Sequence, residues 1–545
     1  MTDAALASVI AKARQHTIGD LLRRTALRSP AKVAVIDGQV KLSYAEFDEA
    51  VNRCAAALAD RGLTKGGRLA LLSHNCWQFG VLNFACARLG ALLVPVNFGL
   101  GPSEIAYILD HSGASVVVAE AALGDTVAEA IRLAENCPTL RGWIGHDDPP
   151  DGWENVGDWI VHGGESPIDD IAVADDDPIR LMYTSGTEAR PKGVLLSSKS
   201  LISQYVSCIV DGNMSAEDVE IHALPMFHCA QMDCFFSVDV YLGATSIILP
   251  APDPATILRT IESSRVTKLF APPTVWISLL RHPDFNTRDL SSLQKGYYGA
   301  AAMPVEVLRE IGDRLPGISL WNFYGQTELS PVATILPPSE QESRAGSAGR
   351  PSLNVETRIV DDEGREVPPG HIGEIVHRSP HTALGYYNDT DKTAEAFSGG
   401  WFHSGDLGLF DADGYLTVVD RKKDMIKTGG ENVSSREVEE SIYLIDGVAE
   451  VAVFAVPHPK WIEAVTAVIV PKAGAQLTLA DVDHHLATNL APYKRPKYVL
   501  FAPALPKNPS GKILKKELRT THVDLATLNR TTTEEPVAAS TPATQ

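Results

Sequence analysis

From Arg68 to Ala119 the chain alternates two kinds of stretch. Arg68 to Leu72, Leu92 to Val96 and Ser115 to Ala119 are short apolar runs that read as buried strands, while Trp77 to Arg88 and a stretch opening at Pro102-Ser103-Glu104 read as helices. A helix between successive strands returns the chain to the start of the next one, which favours parallel sheets with crossover helices. The preceding segment suits such a body. Thr17 caps a helix to Leu27 with Ile18, Leu21, Leu22 and Leu27 on one side; Lys32 to Ile36 and Val40 to Leu42 read as a hairpin around Asp37-Gly38; Ser43 and Glu46 form a capping box for a helix through Ala59.

Further along, Asp169 to Pro178 is acidic and reads as an exposed connection. Ile221 to Pro225, Thr245 to Leu249, Lys268 to Ala271 and Gly296 to Tyr298 are short apolar strands between helical stretches. From Val355 to Val376 the pattern changes to short strands with turns at Asp362-Glu363-Gly364 and Pro368-Pro369-Gly370, a small β-rich subdomain or barrel. Beyond Asp420 the chain forms a small α+β domain, with strands at Val451 to Val456 and Ala464 to Val470 and helices at Ser434 to Leu444 and Leu479 to Leu490. Thr520 to Gln545, rich in Thr, Ala and Pro, is expected to be a disordered tail. The expected domains are therefore 1–421, 422–519 and the tail 520–545, in keeping with a length of 545 residues that exceeds what one core serves.

A net charge of −20, from 48 basic and 68 acidic residues, argues against nucleic-acid binding and against electrostatic attachment to a membrane. No apolar run approaches the ~18 residues of a membrane span, and Asp3 interrupts the start of any secretory signal. Seven scattered cysteines fit a reducing cytoplasm. Cys229 and Cys234 sit near His228 without the spacing of a common zinc site, so buried packing is the expected role.

Tyr183-Thr184-Ser185-Gly186-Thr187-Glu188-Ala189-Arg190-Pro191-Lys192-Gly193 gathers hydroxyls, a glycine and an ammonium between two apolar runs, Ile179 to Met182 and Val194 to Leu196. Such a loop offers donors and one point charge to phosphate oxygens. It is not a Walker A loop, which needs Gly-Lys-Ser/Thr opening a helix; alone, it is equally an ordinary loop. Four more stretches invite the same double reading. Asn322 to Glu328 can stack a base, touch a phosphate and hold Mg²⁺, or be a polar strand end. Asp406, between Gly405 and Gly408, can accept two ribose hydroxyls or close a turn. Arg421-Lys422-Lys423 and Lys427 form a charge run, and Lys512 follows a Pro509-Ser510-Gly511 turn; both are solvated surface in the plain reading.

Together and in this order, the five stretches resemble the signatures of the adenylate-forming superfamily, which includes acyl-CoA synthetases, and among them bacterial fatty acyl-CoA ligases. The likeness runs from about Thr17 to Arg519. It implies an α/β fold: a large N-terminal domain of two stacked αβαβα sheets plus a small β-barrel, and a small mobile α+β C-terminal domain. It also implies two half-reactions. ATP and a carboxylate give an acyl-adenylate and pyrophosphate, and CoA then gives acyl-CoA and AMP. By resemblance, Thr184, Ser185, Gly186, Thr187 and Lys192 belong to the ATP phosphate loop. Gly299, Ala300 and Ala301 form the adenine-side turn, and Tyr324 stacks on adenine, followed by Gly325 and Gln326. Thr327 touches the α-phosphate and Glu328 binds Mg²⁺. Asp406 and Arg421 contact ribose, and Lys423 marks the hinge. Lys512 serves adenylation, Lys427 the second half-reaction, and His228 lies beside the acyl pocket.

One departure stands out: Glu188-Ala189 replaces the Thr-Gly common in the family, so that Glu188 either points to solvent or helps hold Mg²⁺. Met226, Phe227, Phe235, Phe236, Trp276 and Ile277 are candidates for an apolar acyl pocket or for core. Phe270 to Trp276 resembles fatty acyl-CoA ligases more than aryl ones, which gives a medium- or long-chain monocarboxylate as the expected acid. Lys494, Arg495 and Lys497 are candidates for CoA phosphates or a solvated basic turn. The alternatives are transfer to a carrier-protein phosphopantetheine, an aryl or cinnamate-type acid, and a catalytically silent nucleotide-binding regulator. A homodimer is the candidate assembly.

Overall fold

The structure, a computed structural model, describes residues 3–166, 168, 171–184, 190–299, 301, 303–472, 474–507 and 513–525. The chain divides into two compact units. The first comprises Met1–His371, Ile375–Ser404 and Phe410–Thr417, the second Ile372–Glu374, Gly405–Leu409 and Val418–Gln545.

Two large sheets build the first unit. Among the described residues one has eight strands, in the order Gly385–Tyr386, Lys192–Ser197, Pro178–Thr184, Leu92–Pro95, Arg68–Leu72, Val116–Glu120, Leu140–Ile144, Glu154–Asn155. The six from Pro178–Thr184 onward run parallel, as the strand–helix alternation requires, and the two before them are antiparallel. The other has nine, in the order Arg350–Pro351, Val332–Leu336, Ser319–Gly325, Lys295–Gly299, Lys268–Phe270, Val219–His222, Thr245–Ile248, Val33–Asp37, Val40–Ser43, parallel in the middle with antiparallel pairs at both edges.

Period-two alternation distributes the apolar runs to two faces. Leu69, Leu71, Leu93, Val116 and Val118 point into a core shared with Val35, Ile248 and Phe270 of the nine-stranded sheet. The helices Tyr44–Asp60 and Trp77–Leu89 contribute Phe47, Val51, Leu82 and Phe84 to that core, and so lie between the sheets. Ala70, Leu72, Val94, Val117 and Ala119 face the other way, onto the helices Pro102–Ser112 and Gly124–Leu133. The far side of the nine-stranded sheet packs Ile221 and Leu269 on helices that carry Ile257, Leu279 and Ile311. The layers therefore run helix, sheet, helix, sheet, helix. Each wholly buried leucine or valine contributes about 1.5–3 kcal/mol.

The capping box read at Ser43 forms, and Thr17, read as a cap, has a box partner in Asp20. Ser43 Oγ accepts the Glu46 N–H at 3.3 Å while Glu46 accepts the Ser43 N–H at 2.8 Å; Asp20 accepts the Thr17 N–H at 3.0 Å. The β-rich stretch after Val355 is a four-stranded sheet, in the order Glu356–Val360, Gly373–Arg378, Phe402–Phe410, Leu416–Arg421.

In the second unit the long hairpin Val448–His458 and Ile462–Pro471 again splits its side chains. Val451, Val453, Val465 and Ile469 meet Val438, Ile442, Val482 and Leu486 of the helices Ser435–Tyr443 and Leu479–Asn489; Ala452, Phe454 and Val468 meet Leu505 and Leu518. That last contact moves the start of the expected tail. Leu518 is buried, and it carries the helix Lys515–Thr521 through Thr520. Residues 526–545 of the expected tail lie outside the described residues.

Candidate active site

The hydroxyl-rich loop joins two antiparallel strands, Pro178–Thr184 and Lys192–Ser197, with Thr184 directly opposite Lys192. Its first limb is fixed from below. Arg180, wholly buried, pairs with Asp233 at 2.9 Å, and the Tyr205 hydroxyl donates to the same carboxylate oxygen at 3.0 Å. Ser185, Gly186, Thr187, Glu188 and Ala189 lie outside the described residues. On the second limb, the Lys192 ammonium sits 5.2 Å above the ring of Tyr386, and Gly193 accepts the Tyr387 N–H at 2.7 Å.

Tyr386 links that limb to the second motif. Its hydroxyl donates to Glu328 Oε1 at 2.9 Å, and the Glu328 carbonyl accepts the Ala383 N–H at 2.8 Å. Burial, and then the Glu328 carboxylate, push the Tyr386 phenol well above its ordinary range, so it stays a donor. Lys192 and Glu328, far apart in sequence, thus share one tyrosine.

The Asn322 to Glu328 stretch is not a simple strand end: the strand Ser319–Gly325 runs into it and a tight helical turn, Thr327–Leu329, follows. Tyr324 faces Thr334 across the ladder and packs by Leu329, Ala333 and Phe402. A side chain at Gly325 would place its Cβ 1.9 Å from the Pro331 carbonyl oxygen, and one at Gly299 would come within 2.5 Å of that of Phe323; only glycine lets these backbones close. Ala301 is exposed, and Ala300 lies outside the described residues. The Gln326 amide nitrogen is buried and finds no acceptor among the described residues. Thr327 Oγ1 lies 3.4 Å from Cys229 Sγ, which brings the motif against the His228 loop; burial pushes that thiol up to about 12.

Asn75 shapes the His228 loop. Its amide donates to the Leu224 carbonyl at 2.8 Å and accepts the Met226 N–H at 2.7 Å. Phe227 meets Phe98 edge-on, with centroids 5.2 Å apart. His228 is half-buried, its Nδ1 accepting the Ala230 N–H at 3.2 Å, where a π-helical turn, Ala230–Phe236, begins. Phe235 stacks on Phe270 at 4.3 Å within the core. Trp276 is a candidate for the acyl pocket or for core. It is wholly buried in the outer core, and its indole N–H donates to the Tyr297 carbonyl at 3.2 Å.

Within the second unit, Asp406 is buried and its Oδ1 lies 3.3 Å from Arg421 Nε. Arg421 opens a turn in which its carbonyl accepts the N–H groups of Asp424 and Met425 at 2.9 and 3.0 Å, leaving Lys423 exposed at the turn. Asp424 pairs with Arg519 at 2.6 Å. Lys427 is exposed in the middle of the strand Ile426–Thr428, with its backbone N–H donated to Glu463 at 2.6 Å. Lys512 lies outside the described residues; on either side of it Lys507 and Ile513 pair as an isolated bridge, and Lys507 reaches Glu450 at 2.7 Å. Of the basic candidates for CoA, Lys494 pairs with Glu437 at 2.5 Å and Arg495 donates to Leu490 O at 3.0 Å and Ala487 O at 2.9 Å, closing the C-terminus of the helix Leu479–Asn489.

Two features escaped the sequence reading. Tyr386 is one; its only signal is an aromatic pair after Gly385. The other is a wholly buried charge cluster in which Lys268 pairs with Glu220 at 2.7 Å and with Asp239, and His222 Nε2 lies 3.3 Å from Asp239 Oδ2. Glu220, His222 and Asp239 could together hold a cation, but the Lys268 ammonium supplies one. Among the described residues no helix is long and apolar enough to cross a membrane.

A profile of AMP-binding enzymes matches residues 22–387, and that of their C-terminal domain residues 437–512. The chain belongs to the AMP-binding enzyme family. This AMP-binding enzyme is 37% identical over 508 residues to a feruloyl-CoA synthase of an Amycolatopsis species, covering 93% of this chain and 99% of the relative. It is 34% identical over 505 residues to a long-chain fatty acid–CoA ligase of Mycobacterium tuberculosis, covering 92% and 98%. The ATP-bound MatB of Rhodopseudomonas palustris superimposes with a TM-score of 0.84 at 32% identity, over 94% of this chain and all of that one. Within the family the enzyme stands among acid–thiol ligases, and the fold is the adenylate-forming one.

Proposed function

We propose that this enzyme joins a carboxylic acid to CoA through an acyl-adenylate. The carboxylate oxygen attacks the α-phosphorus of ATP and pyrophosphate leaves; the CoA thiol then attacks the acyl carbon and AMP leaves. The observation that carries the reading is the Tyr386 junction, which holds the ammonium of Lys192 and the carboxylate of Glu328 on one ring and hydroxyl.

That pairing suits a metal-bound triphosphate. Lys192, with Thr184, Ser185, Gly186 and Thr187, takes phosphate oxygens. Glu328 would hold Mg²⁺: Oε1 is oriented by Tyr386, and one carboxylate plus substrate phosphates is the ligand set Mg²⁺ favours. Bound there, Mg²⁺ would offset the charge that builds as one anion approaches another. Tyr324 is assigned to adenine, with Gly299, Ala300 and Ala301 at its edge, Gly325 and Gln326 beside it, and Thr327 at the α-phosphate. The Gln326 amide nitrogen, without an acceptor among the described residues, supports a ligand there, since a buried donor left alone costs about 1–3 kcal/mol. Asp406 and Arg421 are assigned to ribose, Lys423 to the hinge, Lys512 to adenylation and Lys427 to thioester formation.

The acid is read as a monocarboxylate with an apolar body, seated by Met226, Phe227 and His228. An aryl-substituted acid takes first place and a fatty acid second. The Phe98–Phe227 ring pair and the higher identity to the feruloyl-CoA synthase, 37% against 34%, favour that order. A panel of ferulate, cinnamate, decanoate and palmitate with purified enzyme, ATP and CoA tests it; thioester formation fastest with the alkyl acids reverses the order, and none with any acid removes the reading. Lys512→Ala should slow adenylation by roughly 10²–10³, the scale of one lost charge-stabilising donor, yet convert a supplied acyl-adenylate to acyl-CoA. Equal loss of both half-reactions would contradict the division of labour.

A further inference from the structure

The strand Val219–His222 runs straight into the loop that carries His228, and it brings two titratable side chains into the core. Glu220 and His222, two apart, share a face, and Lys268 lies opposite Glu220 on the neighbouring strand. The wholly buried Lys268 ammonium holds Glu220 at 2.7 Å and Oδ1 of Asp239. A buried ion cluster is weak evidence for stability, since apolar residues of similar volume often serve a core as well. It does orient its neighbours.

The donors and acceptors around it follow one from another. The Leu224 N–H has a proton to give, so the Gln231 atom facing it at 3.2 Å is the amide oxygen. The Gln231 amide nitrogen then faces His222 Nδ1 at 2.8 Å, and that ring nitrogen is the bare acceptor. The imidazole proton is left on Nε2, 3.3 Å from Asp239 Oδ2, while Lys268 holds the other oxygen of the same carboxylate. Burial lowers the His222 pKa, which keeps the ring in this neutral form. Asn75 grips the loop from the other side. Its amide nitrogen is shared among the carbonyls of His222, Leu224 and Leu249 at 3.3, 2.8 and 3.1 Å, and its oxygen accepts the Met226 N–H at 2.7 Å. Two buried amides thus hold the loop at both polar groups of Leu224 and at the Met226 N–H.

We propose that His222 and Gln231 are positioning residues for the acid substrate: the Lys268–Asp239 pair fixes the imidazole, the imidazole fixes the Gln231 amide, and the amide sets the loop on which Met226, Phe227 and His228 meet the acyl group. The inference rests on the acyl-binding reading of that loop given above. The element that carries Gln231 suits the role. π-Helical turns are rare and recur at functional sites. The turn Ala230–Phe236 presents Gln231 to the acyl loop and Asp233 to Arg180, which anchors the strand entering the phosphate loop. One turn therefore supports the loops assigned to both substrates.

Hydrogen exchange and steady-state kinetics on the full-length protein test the proposal. His222→Leu fills the space and removes both roles of the ring. His222→Gln offers an amide N–H to Asp239 and a carbonyl oxygen to Gln231. In His222→Leu the Leu224 amide, read by mass spectrometry in a peptide covering the loop, should exchange about tenfold faster. The KM for the acid should rise about tenfold, the scale of one hydrogen bond, with the KM for ATP within about twofold. His222→Gln should restore most of both. Unchanged loop exchange, faster exchange with an unchanged acid KM, equal rises in KM for acid and ATP, or a His222→Gln protein no better than His222→Leu overturns the proposal. Should His222→Leu fold poorly, Gln231→Met, which leaves the charge cluster intact, gives the same comparison of loop exchange with acid KM. Faster loop exchange in the variants, with a wild type that shows ATP–pyrophosphate exchange with no acid, would leave the hold on the loop standing and remove the adenylating reading.

Discussion

Tyr386→Phe removes one oxygen from the junction of the two motifs and leaves the rest in place. The ring remains beneath Lys192, 5.2 Å from its ammonium. What is lost is the hydroxyl that donates to Glu328 at 2.9 Å. A hydrogen bond to a charged group is worth roughly 1.5–3 kcal/mol. Tyr386 is half-buried, so water recovers part of that and the lower end applies: about 1.5 kcal/mol, a factor of about ten. Because Glu328 is the proposed Mg²⁺ ligand, the loss should surface in metal dependence first. The Mg²⁺ concentration giving half-maximal acid-dependent ATP–pyrophosphate exchange should rise about tenfold, with a smaller change in rate at saturating Mg²⁺. Urea unfolding of the same protein controls for a general loss of stability. An unchanged Mg²⁺ dependence would refute the argument that the hydroxyl orients a metal ligand, and a tenfold rate loss that saturating Mg²⁺ does not restore would place its effect elsewhere.

Lys268→Met leaves the Glu220 and Asp239 carboxylates buried without their cation; it should cost about 3–5 kcal/mol in urea unfolding, and a cost below about 1 kcal/mol would contradict the charge assignment. Trp276→Phe removes one of two donors to the Tyr297 carbonyl, which keeps the Ala271 N–H at 3.0 Å, and the lost hydrogen bond should cost about 0.5–1.5 kcal/mol while leaving the ranking of acids unchanged; a changed ranking would place Trp276 at the acyl pocket. His381 is buried, and burial lowers its pKa to about 4, whereas the unfolded ring titrates near 6.5. The unfolded chain therefore takes up a proton that the folded one refuses, and stability is full above 6.5 and falls as the pH drops toward 4. Between pH 7 and pH 5 the wild type should lose about 2 kcal/mol more than His381→Gln, read from paired denaturation curves; parallel pH profiles would show that this histidine does not carry the effect.

The strands around Leu69 to Val118 were legible because a strand buried on both faces is apolar at every position, and few other arrangements tolerate such a run. The capping box at Ser43 was legible for a local reason, since both partners lie within four residues. Packing at distance was harder to read. Leu518 carries the last described helix past the point where composition alone suggests a tail, and nothing near it in sequence reveals the sheet it covers. Lys268 and Glu220 sit in short apolar strands where charge looks misplaced; the carboxylates that neutralise Lys268, those of Asp239 and Glu220, are 29 and 48 positions away, so only the fold pairs them.

The site shows the same division for a chemical reason. Glu328, Lys192 and Asp406 could be singled out because their charges, flanked by glycine or hydroxyl residues, announce a task by type. Tyr386 could not, because a tyrosine after glycine is equally a packing residue, and its role exists only where the strand Gly385–Tyr386 adds itself to Lys192–Ser197. That edge pairing is what delivers a single phenol to the loop's lysine and to the carboxylate of another sheet's strand end. A site built this way distributes its charge on motifs that sequence can mark and its alignment on neutral residues that sequence cannot. Substitutions at the neutral positions should therefore disturb metal and substrate dependence before they disturb folding, which is the behaviour Tyr386→Phe is designed to expose.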